Sequence, residues 1–354
     1  MLESERQSNT VLQSFSVLDI KNRGRTGYMK ILCVGQAYCD IALAPVPNRI
    51  LGINHAVIEP PRPAAGGDGL NVATVLAKLG EESYIAGYTG TDENGKIIRR
   101  LAESAGVRLD YLKYSDQYTT AVSYILIMED GERHFLVDPS IEQILRPEDV
   151  TDEMIQEADV VYLGSALIIP HLEDEGIYNI FKRAHQYGKL TAMDASASRP
   201  SEMKNRMYLL DKTLGETDIF IPSTEEVQLL TGETDIMKMM ECFAKYPLKV
   251  FGIKMGESGC ILTDFRKIWK AGCFHVFPVV DTTGAGDSFM GGFLCEYLKT
   301  RNIPQSALFA SGVSAHTISA LGATSAVPDY DTVKAFVEKY GNTVKIEEKE
   351  WKTH

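Results

Sequence analysis

The sequence predicts an α/β protein in which a central, mostly parallel sheet is covered by helices on both faces and a small second sheet stands apart as a lid. Three observations predict it. From residue 151 onward, apolar runs at 160–163, 190–193, 219–221 and 250–253 read as buried strands, with helical stretches at 173–187 and 201–213 between the earlier ones. Two glycine turns, Gly66-Gly67 and Gly284-Ala285-Gly286, each open an apolar-faced helix just after a strand, where open parallel sheets place their ligands. The stretches 41–61 and 107–137 instead read as short strands, with Asp130-Gly131 as a hairpin turn.

Composition bounds the function. A chain of 354 residues, 44% hydrophobic and 24% charged, has material for one large domain with an insertion. A net charge of -12 argues against a nucleic-acid surface, which needs a basic face. No apolar run is long enough to span a bilayer, and the N-terminus lacks the hydrophobic block of a signal peptide. The six cysteines are scattered without metal-site spacing, which suits reduced thiols and a cytoplasmic location.

In chain order, residues 1–28 are polar, show no sustained period and read as a flexible extension. The main domain is expected over 29–340, starting with the buried strand Met29 to Gly35, with lid strands inserted at about 41–62 and 108–138. Asp40 follows that first strand, as a turn aspartate or as a contact to a polyol. Ala64-Ala-Gly-Gly-Asp-Gly-Leu-Asn71 opens a helix whose Val72, Val75, Leu76 and Leu79 keep the helical period up to Gly80. Asn71, at that helix mouth, has the donors and acceptor that a hydroxyl requires. The turn at 90–95 reads as structural. A lid of the 41–61 and 107–137 strands would exclude water from a transfer reaction.

Ser223-Thr-Glu-Glu226 has the spacing of a capping box, which explains both end residues without any ligand. Asp194-Ala-Ser-Ala-Ser-Arg199 and Lys254-Met-Gly-Glu-Ser-Gly259 each follow a strand, and a plain hairpin turn accounts for the second. A last long helix is expected over 304–321, and the charged end of the chain, 341–354, reads as a solvated tail.

The stretch with the most chemistry runs Val279-Val-Asp-Thr-Thr-Gly-Ala-Gly-Asp-Ser-Phe-Met-Gly-Gly-Phe-Leu294. Its glycines let the backbone lie against a ligand, and the helix that follows offers unpaired N–H groups at its mouth, which makes an anion site. Asp287 falls in the first helical turn. A carboxylate beside a cradled phosphate suits phosphoryl transfer, accepting the proton of an attacking hydroxyl while amides hold the developing charge. The alternative is a turn whose aspartate only complements the helix dipole.

Asp281-Thr-Thr-Gly-Ala-Gly-Asp287 resembles the C-terminal signature of the PfkB, or ribokinase-like, carbohydrate kinases, and Gly66-Gly67-x-x-x-Asn71 resembles their sugar-side pattern. The resemblance implies a ribokinase-like three-layer α/β/α fold with Asp287 as base and the amides of Gly284, Ala285, Gly286 and Asp287 as anion hole. It further implies that Asp40, Gly67, Asp68 and Asn71 hold the sugar, and that Lys254, Gly256, Gly259, Thr283 and Ser311 lie along the nucleotide, with Arg199 as a phosphate clamp. Glu226 would touch Mg²⁺ through water, and Asp281 with Thr283 lies where some relatives bind K⁺ through the backbone. Ser223 and Ser311 replace asparagines of the family. The implied activity is ATP-dependent phosphorylation of a hydroxyl of a small sugar or sugar acid, in a homodimer formed through the lid. A nucleoside kinase of the same fold and a non-catalytic sugar- or nucleotide-binding module are the alternatives.

Overall fold

The computed structural model describes residues 28–130, 132–138, 144–173, 175–196 and 207–352. Strand β1 (Lys30–Val34) leads to β2 (Tyr38–Val46) and β3 (Pro63–Gly66), followed by α1 (Asp68–Lys78), β4 (Glu82–Gly90), α2 (Glu93–Ser104) and β5 (Leu112–Ser115). A hairpin of β6 (Val122–Met128) and β7 (Arg133–Asp138) comes next. The chain then alternates through α3 (Asp152–Glu157), β8 (Val160–Ala166), α4 (Glu175–Gln186), β9 (Leu190–Ala195), α5 (Met207–Leu214) and β10 (Ile219–Phe220). Helices α6 (Thr224–Thr231) and α7 (Ile236–Glu241) lead to β11 (Val250–Lys254) and the antiparallel β12 (Cys260–Thr263) and β13 (Lys267–Ala271). Helices α8 (Ala285–Thr300), α9 (Ile303–Thr317) and α10 (Tyr330–Tyr340) precede the last strand, β14 (Ile346–Glu350).

The main sheet has the order β14-β13-β12-β11-β10-β9-β8-β1-β4-β5, parallel from β11 to β5 and antiparallel beyond β11. Strand alternation builds its two cores: in β1, Ile31 and Cys33 pack with α1, α8 and α9, whereas Leu32 and Val34 face the layer of α3 to α7. The resulting three-layer fold is the one the alternation of apolar runs implied. A separate sheet, β3-β2-β6-β7, forms the lid.

Several details differ from the sequence reading. β5 lies in the stretch assigned to the lid but pairs parallel with β4 at the edge of the main sheet, because its Leu112 and Ser115 are buried there. Of the 41–61 stretch only the first part is strand: β2 runs from Tyr38 to Val46, a short 3₁₀ turn follows at Ile50–Gly52, and β3 starts beyond it at Pro63. Proline at 45, 47, 60 and 61 interrupts ladder donors in that stretch. The charged end is not a free tail, since β14 pairs antiparallel with β13 while most of its side chains stay exposed. The expected N-terminal extension (up to residue 27), Gly131 of the hairpin turn, the start of the 201–213 helix and Arg199 lie outside the described residues. Among the described residues no helix is long and apolar enough to cross a membrane.

Candidate active site

The two glycine turns meet because α1 and α8 pack closely. A Cβ at Gly291 of α8 would overlap Val75 of α1, so the missing side chain brings the helices together. Their mouths then face each other. Asn71, at 6% exposure, donates from Nδ2 to Asp287 Oδ2 at 2.8 Å across 216 residues of sequence. Asn71 thus spends a donor on orienting the expected base.

Gly284 caps α8 in the left-handed region, φ 72°, and a Cβ there would fall on the Ala323 carbonyl. Only glycine fits. Among the described residues no side chain caps this helix. The Ala285 N–H turns back to the Thr282 carbonyl at 3.2 Å, while the amides of Gly286 and Asp287 have no backbone acceptor among the described residues. These two donors at a positive helix end face a cavity of about 210 Å³ lined also by Asp68, Asp194, Ser223, Glu226, Lys254 and Thr282. Lys254 places its ammonium against Gly286 and pairs with Asp194.

Electrostatics sets these carboxylates apart from surface ones. Burial, with the Asp68 charge beside it, pushes the Asp287 carboxyl well above its ordinary range, against the Asn71 hydrogen bond and the Lys254 charge. Asp68 is also raised by burial, although Ser165 Oγ donates to it at 2.7 Å. Ser165 ends β8 at a positive φ of 62°, a strained conformation at the site. Asp40, against the backbone of Gly66, is pushed up to about 7 by burial and by Asp68 and Asp281. Burial works against the Lys254 charge, but Asp194 and Glu226 more than offset it and raise its pKa.

Glu226 closes the capping box with Ser223, Oε2 accepting the Ser223 N–H at 2.6 Å, so the local reading of this pair holds. It also lines the cavity. Burial and the Asp194 charge push its carboxyl up to about 7, and a divalent cation nearby would return it to the charged form. Among the described residues no three acidic, histidine or cysteine side chains form a metal site on their own. A Mg²⁺ here would be held chiefly by a ligand's phosphates, with Glu226 placed to reach it through water.

Other candidates fall outside this cavity. Gly259 packs against Gly272 as a hairpin glycine, Gly256 borders open space, and Ser311 is 5% exposed within α9. One turn on, Ser314 donates to the Ala285 carbonyl at 2.9 Å. The Thr283 N–H donates to Asp281 Oδ1 at 2.9 Å, so both residues serve the turn's own structure. Asp194, Ser165 and Arg133 were not singled out as site residues. Asp194 and Ser165 end strands on the ligand side of the sheet, which is the one sequence signal they carry.

The profile of the pfkB family carbohydrate kinases matches residues 30–330. A probable fructokinase-4 of Arabidopsis thaliana is 27% identical, over 78% of this chain and 88% of its own. An ATP-dependent ribose-1-phosphate kinase of Halopiger xanaduensis is 28% identical, over 88% and 99%. Among solved structures, Arabidopsis thaliana ribokinase complexed with ribose and ATP superposes with a TM-score of 0.75 at 25% identity, covering 88% of this chain and 99% of its own. With the family matched over most of its length and the ribokinase-like architecture in place, this chain belongs to the pfkB family of carbohydrate kinases, phosphotransferases whose acceptor is a hydroxyl.

Proposed function

We propose that the protein transfers the γ-phosphoryl group of ATP to a hydroxyl of a small sugar, with Asp287 as general base. The observation that carries this is the Asn71–Asp287 bond at the wall of a cavity that also presents the amides of Gly286 and Asp287. It joins a hydroxyl-binding turn to an anion-binding one.

In this reading Asp40 and Asp68 accept hydrogen bonds from acceptor hydroxyls and bring one hydroxyl to Asp287. Asp287 takes that hydroxyl's proton as its oxygen bonds to the γ-phosphorus and the bond to the ADP oxygen breaks. A raised pKa makes Asp287 the better proton acceptor, and Asn71 keeps it aimed. The Gly286 and Asp287 amides and the Lys254 ammonium hold the charge on the moving phosphoryl group. Mg²⁺, where bound, neutralises the phosphates. Thr283, Gly256 and the α9 residues beside Ala285 flank the nucleotide, and the lid keeps water from competing with the sugar.

The same reading extends to assembly and location. The β7 edge exposes Phe135, Leu136 and Val137, which suits pairing with a second copy through the lid. All six cysteines are free, which suits a reducing compartment such as the cytoplasm.

The test is ADP release across keto- and aldohexoses, ribose, ketodeoxygluconate and nucleosides. One acceptor that yields ADP and phosphorylated product in equal amounts supports the reading. Binding of sugar and ATP by calorimetry with no ADP from any acceptor overturns it in favour of a binding module.

A further inference from the structure

Arg133 belongs to lid strand β7, yet its guanidinium ends on the turn that precedes the catalytic helix. Nη2 lies 2.9 Å from Asp281 Oδ1, and Nη1 donates to Thr282 Oγ1 at 2.8 Å. Both side chains of the ion pair are largely covered, at 19% and 6% exposure. Thr282 lines the cavity, and Asp281 is near enough to Asp40 to raise its pKa. The contact therefore joins lid, phosphate side and sugar side.

The Asp281 carboxylate is used up at the turn. Asp281 Oδ1 already accepts the Thr283 N–H and faces the guanidinium, and Oδ2 accepts the Gly322 N–H at 2.8 Å. Both oxygens are engaged, and the positive charge next to the turn comes from the chain itself. A planar guanidinium with two fixed contacts orients the turn. Covered ion pairs of this sort contribute geometry more than net stability.

We propose that Arg133 is a positioning residue: from the lid it neutralises Asp281 and holds the 281–283 turn so that the Gly286 and Asp287 amides face the cavity. Its effect on turnover rests on the kinase reading above, whereas the tether between lid and turn does not. Opening of the lid then withdraws a positive charge from the anion site, so that the site is complete only when the lid is down.

Arg133→Ala should lower kcat by about tenfold or more, with a smaller change in the sugar KM, and added guanidinium should restore part of it. Unchanged kcat in a folded Arg133→Ala protein overturns it. Arg133→Lys, which keeps the charge and loses the fork, should fall between the two. Independently of turnover, amide exchange across 133–138 should accelerate by about tenfold in Arg133→Gln. Exchange that matches wild type overturns the tether. A wild-type protein that phosphorylates nothing refutes the kinase reading alone, and the exchange result then decides for or against the tether.

Discussion

Replacing Asp40 by asparagine should stabilise the ligand-free protein at alkaline pH while weakening its hold on sugar. Asp40 sits in lid strand β2 against the Gly66 backbone, where burial first, then the Asp68 and Asp281 charges, raise its pKa from an ordinary 3.8 to about 7. A carboxyl whose folded pKa lies above its unfolded one binds its proton more tightly in the native state. Its stabilising contribution is complete below the ordinary pKa and is lost as pH rises through the folded value. The gap from 3.8 to about 7, at about 1.4 kcal/mol per pH unit, sets a ceiling of ~4 kcal/mol on the cost of the ionised carboxylate. Arg133 neutralises part of the Asp281 field and Asp40 keeps some solvent contact, so ~2 kcal/mol is the expected gain for the variant at about pH 8. At about pH 5 the same integral leaves less than half of that gain. Urea unfolding of both proteins at the two pH values reads the difference. In parallel, the sugar KM should rise by about tenfold or more, since a hydrogen bond to a charged group is lost. A variant no more stable than wild type at about pH 8, or a gain of equal size at both pH values, refutes the reasoning.

The other predictions concern the base, the glycine cap and a remote pH-sensitive tie. Asp287→Asn should lose about a hundredfold in kcat with ATP affinity retained, and turnover near wild type would rule the base out. Because burial raises Asp287, the acid limb of kcat/KM in wild type should lie above the usual carboxylate range of about 4; a limb at or below that value contradicts the assignment. Gly284→Ala puts a side chain on the Ala323 carbonyl at positive φ, and should cost ~1–3 kcal/mol of stability and most of the activity. Full activity there would mean that the turn is not the anion site. His185 lies between Asp218 at 3.3 Å and Glu216 at 2.7 Å, and the Asp218 hydrogen bond raises its pKa against burial. Its contribution is present below its ordinary pKa and lost as pH rises through the folded one, so His185→Gln should cost more stability at about pH 6 than at about pH 9. Equal costs at both pH values would show the ring to be neutral there.

What the sequence showed of this molecule follows from which contacts are local. The parallel strands were legible because a strand buried on both faces must be apolar throughout, as 160–163 and 250–253 are. The capping box at Ser223 and the glycine turn at 284 were legible because each completes its own geometry within four residues. β5 was misplaced because nothing in Leu112 to Ser115 says which sheet its backbone will pair with. β14 was missed because an edge strand with exposed side chains, Ile-Glu-Glu-Lys-Glu, carries the composition of a tail. Arg133 and Asp194 were invisible as site residues for a further reason: their partners, Asp281 and Lys254, lie far away in sequence, and only the fold makes the pairs.

The charge layout of the site has a physical logic that no single residue shows. Asp40, Asp68, Asp287 and Glu226 all carry carboxyls that burial holds above their ordinary pKa, while the cations among the described neighbours, Lys254 and Arg133, are paired with Asp194 and Asp281. The buried carboxyls are thus short of positive partners. In the proposed reaction a polyol would supply donors to Asp40 and Asp68, a hydrated divalent cation would supply charge beside Glu226, and each would favour the ionised carboxylate that transfer requires. Stability given up by the ligand-free protein is in this way recovered when both substrates are bound, which ties the strain of the resting site to the order and completeness of its filling.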